Sequence, residues 1–254
     1  MITLFRRVRE KLIASGSITK YLLYASGEIL LVVVGILIAL QVNNWNENRT
    51  SVYETKSFLS KKLINLQEDY DQLIGLHDFR VQLSEESAYA MDTGIENMAQ
   101  SDMVALITTV TIEKRFRTFI TRDQIVNIAN YFKNIDGTGI DDIEQDYLKM
   151  IDVVTFSEDR LNIFSETLET DLWRMGFFND NRTYFNDDEF LIPEGPGSED
   201  LPPLILSEGN GLKSLSAIIR RNEIQNRRLA VSYMDLIEIN ANLKNAIQEY
   251  ISNN

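Results

Sequence analysis

Asn134, Asp136, Thr138 and Asp142 fall at the first, third, fifth and ninth places of a calcium loop when Gly139 is set at the sixth, where such a loop turns sharply. The twelfth place, which should supply a bidentate Glu, is Gln145, and the first is Asn in place of Asp. A plain helix-to-helix turn accounts for the same glycines and aspartates through chain reversal and capping. The expectation is therefore a turn without a resident metal, with Asp136, Thr138 and Asp142 as the candidate ligands. Asn186-Asp187-Asp188-Glu189 is a second acidic knot, in a loop where carboxylates are ordinarily solvated. The single histidine, His77, changes charge near neutrality but sits in a helical pattern between Leu76 and Phe79. With no cysteine there is no disulfide, thiolate metal site or Cys nucleophile. No phosphate loop, zinc motif or nucleophile elbow occurs, and no spacing sets two acids across a cleft as a glycosidase requires. The expectation is no catalytic residue and no cofactor.

The acid that demands most explanation is Glu28. It stands at the threshold of Ile29 to Leu40, twelve apolar residues in a row, which end in the polar run Asn43-Asn44-Trp45-Asn46. Residues 21–42 make about 33 Å of helix at roughly 1.5 Å per residue, against a hydrocarbon core of about 30 Å. That is the length of a transmembrane helix. The stretch exceeds the usual apolar core of a cleaved signal peptide, and no small-x-small site follows Leu40. Glu28 then has two readings. It can lie at the inner interface and reach toward headgroups, or it can face a partner helix, because Glu28, Val32, Gly35, Ala39 and Val42 share one helix face and Gly35 and Ala39 permit close approach.

Charge gives this helix a direction. Residues 1–20 carry Arg6, Arg7, Arg9, Lys11 and Lys20 against Glu10, whereas residues 51–254 carry 19 Lys and Arg against 35 Asp and Glu. The basic side stays in the cytoplasm, and residues 43–254 are placed outside it. Tyr21, Tyr24 and Trp45 suit the two membrane interfaces, and Arg6, Arg7, Arg9 and Lys11 alternate with apolar residues as on an amphipathic helix lying on an anionic leaflet. An acidic outer domain repels phosphate backbones, which argues against nucleic-acid binding.

The block KYLLYASGEILLVVVGILIALQVNNWNENR, Lys20 to Arg49, resembles the start of a family of uncharacterised single-span proteins of Gram-negative bacteria, a domain of unknown function. The resemblance implies an inner-membrane anchor with a periplasmic domain, and brings with it no activity, cofactor or catalytic residue.

Beyond the anchor the pattern is helical. Leu59, Leu63, Leu66, Tyr70 and Leu73 alternate by four and three from within a helix spanning Tyr53 to about Met91, and Leu76, Phe79 and Leu83 continue with a shift of phase. Ser101-Asp102 can cap a segment from Met103 to Val110 that reads as helix despite its β-branched residues. Thr121-Arg122-Asp123-Gln124 has capping-box form and precedes Ile125, Ile128, Ala129 and Phe132 on one face. A long helix runs from Asp141 to about Trp173, with a possible break at Thr155 to Glu158, and a last one from Leu212 to about Ile251 with Arg220, Arg221, Arg227 and Arg228 on its polar side. All four prolines lie in residues 179–211, which read as one long loop. The predicted fold is all-α: one N-terminal transmembrane helix, then a long-helix antiparallel bundle of four or five helices.

The function expected from these features is an envelope adaptor or scaffold that binds a partner protein and forms a homo-oligomer. A periplasmic ligand-sensing domain working through a separate cytoplasmic partner is the first alternative, since about 20 residues inside cannot form an output domain. A carboxylate- or metal-dependent hydrolase is the second.

Overall fold

In the computed structural model, residues 18–120, 128–174, 185–186, 189–190 and 211–254 are described. Their regular structure is helical apart from the antiparallel two-residue pair Phe185–Asn186 and Glu189–Phe190. In chain order the helices are α1 (Ile18–Thr93), α2 (Gln100–Val110), α3 (Ile128–Ile135), α4 (Ile140–Arg174) and α5 (Gly211–Asn253), with a 3-10 turn at Ile95–Asn97. The chain divides into two compact units, Met1–Lys56 and Ser57–Asn254.

Within the first unit, the apolar stretch of α1 from Ile29 to Leu40 is exposed throughout. This helix is long and apolar enough to cross a membrane.

The second unit is built on heptads. On α1 the buried seam runs Leu59, Lys62, Leu66, Asp69, Leu73, Leu76, Arg80, Leu83, Ser87 and Ala90, an alternation of three and four with Ser84 buried beside it. On α5 they run Leu215, Ile219, Asn222, Asn226, Leu229, Tyr233, Leu236, Asn240, Leu243, Ile247 and Tyr250, and on α4 Ile140, Tyr147, Val154, Leu161 and Leu168 recur every seven residues. A 3.5-residue repeat keeps one seam facing its partners along a left-handed superhelix. The apparent phase shift near Leu76 disappears once Lys62, Asp69 and Arg80 are counted in the seam. Leu63, Tyr70 and Phe79 flank it, half-buried.

Contacts fix the directions. Leu66 meets Asn240, Arg80 meets Asn226 and Ser84 meets Glu223, so α5 runs antiparallel to α1. Lys62 meets Glu144 and Asp69 meets Tyr147, so α4 runs parallel to α1. The chain makes that return through α2, the extended residues 112–120 and α3.

Local chemistry sets the ends. Gly94 adopts a φ of 82° after α1, and the Asn97 side chain donates to the Thr93 carbonyl at 3.0 Å. The N-cap of α2 is Ala99, which places Ser101 and Asp102 inside the first turn and not at the cap. Its β-branched threonines fit because Thr108 and Thr109 donate to the carbonyls of Val104 and Ala105 at 2.9 and 2.8 Å. On α3, Tyr131 and Ile135 are buried while Ala129 and Phe132 are exposed, a face rotated from the expected one. Tyr131 sets it, packing edge-on to Phe58 at 5.1 Å with its hydroxyl near Lys62 and Glu144. The capping-box residues 121–124 and Ile125 lie outside the described residues. Finally, α4 passes through Thr155 to Glu158 without a break, because Glu158 faces inward and is bonded there.

The glycines separate by backbone conformation. Gly137 and Gly139 have φ of 72° and 75°, whereas Gly75 lies within α1 and an added Cβ there meets nothing within 4 Å. Gly75→Ala is expected to stabilise the fold by about 1 kcal/mol and Gly137→Ala or Gly139→Ala to destabilise it by about 1 kcal/mol. Urea unfolding of the detergent-solubilised chain measures both signs.

Candidate functional site

The polar chemistry of the second unit converges on residues 112–120, an extended strap. Its residues alternate, Lys114, Phe116, Thr118 and Ile120 turning inward and Glu113, Arg115, Arg117 and Phe119 outward. An extended chain in a helical domain has no neighbouring strand, yet its backbone amides and carbonyls must be bonded where they are buried. Side chains supply those bonds. From α1, Asn65 donates to the Phe119 carbonyl at 2.9 Å, and Gln72 both accepts from the Arg117 amide at 2.7 Å and donates to its carbonyl at 3.5 Å. Arg80 donates to the Lys114 carbonyl at 3.1 Å. From α4, Glu158 accepts from the Phe116 amide at 2.8 Å and Asn162 donates to the Lys114 carbonyl at 3.4 Å.

Two layers carry the deepest charges. In the first, Asp69 is fully buried and accepts from the Phe119 amide at 2.7 Å, the Thr118 hydroxyl at 2.6 Å and the Tyr147 hydroxyl at 2.8 Å. Asn240 joins the layer by donating to Tyr147 Oη at 3.2 Å and to the Leu66 carbonyl at 3.0 Å. In the second, Tyr233 donates to Glu158, and Arg80 donates to Asn226 Oδ1 at 3.1 Å. Asn226 in turn donates to Asn222 Oδ1 at 2.6 Å. Among the described residues, Arg80 Nε and Asn222 Nδ2 have no hydrogen-bond partner. Beyond these layers, Lys62 pairs with Glu144 at 2.6 Å and lies over the Phe58 ring at 4.9 Å.

Burial raises the Glu158 carboxyl above its ordinary value of 4.5, and the Tyr233 hydroxyl, the Phe116 amide and the Arg80 charge offset part of that rise. Burial foremost, and then the neighbouring carboxylate, pushes the phenols of Tyr147 and Tyr233 up. They remain donors throughout the physiological range. Lys114 is lowered, by burial first and by Arg80 second.

The residues singled out by sequence lie elsewhere. Thr138 closes the turn between α3 and α4, its hydroxyl donating to the Ile135 carbonyl at 2.6 Å and accepting from the Ile140 amide at 3.3 Å. Asp136 is exposed, and Asp142 sits with Asp141 in the first turn of α4, where a negative charge favours the helix dipole. No group of three or more His, Cys, Asp or Glu placed to hold a metal occurs among the described residues. His77 contacts Asp78 at 3.0 Å. Of the acidic knot, Asn186 pairs with Glu189 in the small sheet; Asp187 and Asp188 lie outside the described residues.

In the first unit, helical geometry puts Glu28, Val32, Gly35, Ala39 and Val42 on one face, all exposed except Glu28, which is half-buried. Trp45 is exposed, with the Arg49 guanidinium 5.9 Å above its ring. Tyr21 and Tyr24 belong to α1, but their side chains lie outside the described set, as do Arg6, Arg7, Arg9 and Lys11.

Residues 28–89 match a family of unknown function (DUF6090). The match lies entirely within α1. It overlaps the block ending at Arg49 and extends past it to Tyr89, so it takes in Lys62, Asp69 and Arg80 as well as the apolar helix. No curated protein and no solved structure matches the chain.

Asp69→Ala strands three donors at once, the Tyr147 hydroxyl buried and the other two partly so, and is expected to cost about 3 kcal/mol in urea unfolding, against less than about 1 kcal/mol for Gln72→Ala, whose bonds lie at the surface. Equal losses from the two substitutions would contradict this account of the strap. Because the folded pKa of Glu158 lies above 4.5, the folded chain holds that proton more tightly than the unfolded chain. The carboxyl's stabilising contribution is then complete below 4.5 and is lost as pH rises through the folded value. Glu158→Gln cannot titrate. The stability of the wild type relative to this variant should grow as pH is lowered toward 4.5, and a pH-independent difference in unfolding would refute the assignment.

Proposed function

We propose that this chain is a single-pass inner-membrane protein whose outer helical bundle serves as an envelope scaffold or adaptor for a partner protein and assembles as a homo-oligomer. One observation carries the proposal: the apolar residues from Ile29 to Leu40 are exposed along a continuous helix, where water would oppose every side chain and hydrocarbon would not. The basic residues before the span and the acidic balance after it support a cytoplasmic N-terminus and a periplasmic body. The body supports a binding role over a chemical one because its innermost acids, Asp69 and Glu158, are engaged in holding the strap. The Gly35 and Ala39 face offers a route for helices to meet in the bilayer.

The test is fractionation of cells expressing the full chain with a C-terminal tag. The chain is expected to resist alkaline extraction from the membrane, to leave its tag accessible to protease only after the outer membrane is opened, and to crosslink to itself and to a partner. Release into the soluble fraction, or a mature N-terminus lying beyond Leu40, would overturn the anchor. Recovery of monomer alone after crosslinking would overturn the scaffold.

A further inference from the structure

The outward faces of α1 and α5 carry opposite charges at the same repeat. On α1, Asp71, Asp78, Glu85 and Asp92 are exposed and spaced by seven residues, on the side away from the buried seam. On α5, the exposed pairs Arg220-Arg221 and Arg227-Arg228 are also spaced by seven. Seven residues rise roughly 10.5 Å along a helix, so the two rows are commensurate. Arg227 reaches Glu223 at 3.3 Å and Arg221 lies 4.5 Å over the Phe164 ring, whereas Arg220 and Arg228 have no acidic partner among the described residues. Unpaired arginines in a chain of net charge −13 stand out against a surplus of acids. Exposed Val231 and Met234 adjoin the basic row, and Arg and Met together are typical of association surfaces.

Register then specifies what fits. Within one bundle, Arg80 is level with Asn226 and Ser84 with Glu223. Two bundles standing side by side in the same orientation and at the same height therefore bring Asp78 of one level with Arg228 of the other, and Glu85 level with Arg221 and its neighbour Arg220. Gly75, which has no side chain to hold the helices apart, comes level with Val231. We propose that the bundle associates with a second copy of this chain through the acidic row of α1 on one and the arginine row of α5 on the next. The two surfaces differ, so the contact is heterologous and repeats from copy to copy until a ring closes or the array remains open. It deepens the scaffold reading, supplying an assembly contact outside the apolar helix.

The test uses the full-length chain in detergent, followed by sedimentation at low and high salt. Self-association should weaken roughly tenfold between about 50 and 500 mM salt, since exposed ion pairs are screened over that range. The double substitutions Asp78→Arg with Glu85→Arg, and Arg220→Glu with Arg228→Glu, should each abolish the salt-sensitive association while helix content and unfolding midpoint stay unchanged. Mixing the two variants should restore it, because each then meets its opposite on both faces. Salt-sensitive association that survives both reversals, or a mixture that does not regain it, would overturn the proposal. So would an arginine reversal that leaves association intact and abolishes only binding to vesicles of anionic lipid. Membrane extraction of the same variants reports on the anchor separately, so failure of this contact and failure of the anchor read out in different measurements.

Discussion

The second unit depends on one requirement: an extended backbone laid against helices must have its amides and carbonyls bonded, and helices have no spare backbone groups to offer. Residues 112–120 meet it with side chains from two helices. The groups that do so, Asp69, Arg80 and Glu158, must reach inward from heptad positions otherwise held by leucine or its equivalents. Each brings a buried charge that would be costly alone. The strap and the charges therefore justify one another: the backbone needs acceptors and donors, and the charges need partners.

This explains how the interior can contain so many polar side chains without loosening. Asp69 is saturated by a backbone amide, a threonine hydroxyl and a tyrosine hydroxyl, and Glu158 by an amide and a tyrosine. Around these layers lie Leu59, Leu66, Leu73 and Leu76 of α1, packed with Val154 and Leu161 of α4 and with Leu229, Leu236 and Leu243 of α5 in one apolar cluster. The polar layers fix which residue stands opposite which. A leucine seam alone would tolerate slippage by a heptad, but Asn240 beneath Leu66 and Asn226 against Arg80 have partners at only one register.

The long helices were legible in the sequence because their leucines and isoleucines recur at helical spacing, and the apolar helix because nothing else reads as twelve apolar residues in a row. Half of each seam was not legible. Lys62, Asp69 and Arg80, like Asn222, Asn226 and Asn240, sort as surface residues by polarity, and only the unbroken three-four count through them betrays their burial. Tyr131 and Tyr233 were missed for the same reason, their rings counting as apolar and their hydroxyls as polar. The strap had only a broken signal, since its alternation of burial is interrupted in the sequence by Lys114 on the inward side and Phe119 on the outward one, and a segment with no sheet to join has no obvious place in an all-helical prediction. The calcium-like spacing at Asn134 to Asp142 turned on two glycines with positive φ, and the geometry uses Thr138 to close the turn.

The order of the helices along the chain also governs when the interior can close. α1 and α4 run parallel, and the helix that covers both follows them in the chain: Lys244 meets Gln67 and Asn226 meets Arg80 across separations of 177 and 146 residues. Until residues 211–253 have emerged, the seams of α1 and α4 lack their third helix, Tyr147 lacks Asn240 and Arg80 lacks Asn226. A chain with such distant pairings folds slowly for its helix content, since loop closure precedes the contacts that reward it. The growing polypeptide thus carries an unfinished core until α5 has been made, which makes that helix the step that commits the domain to its structure.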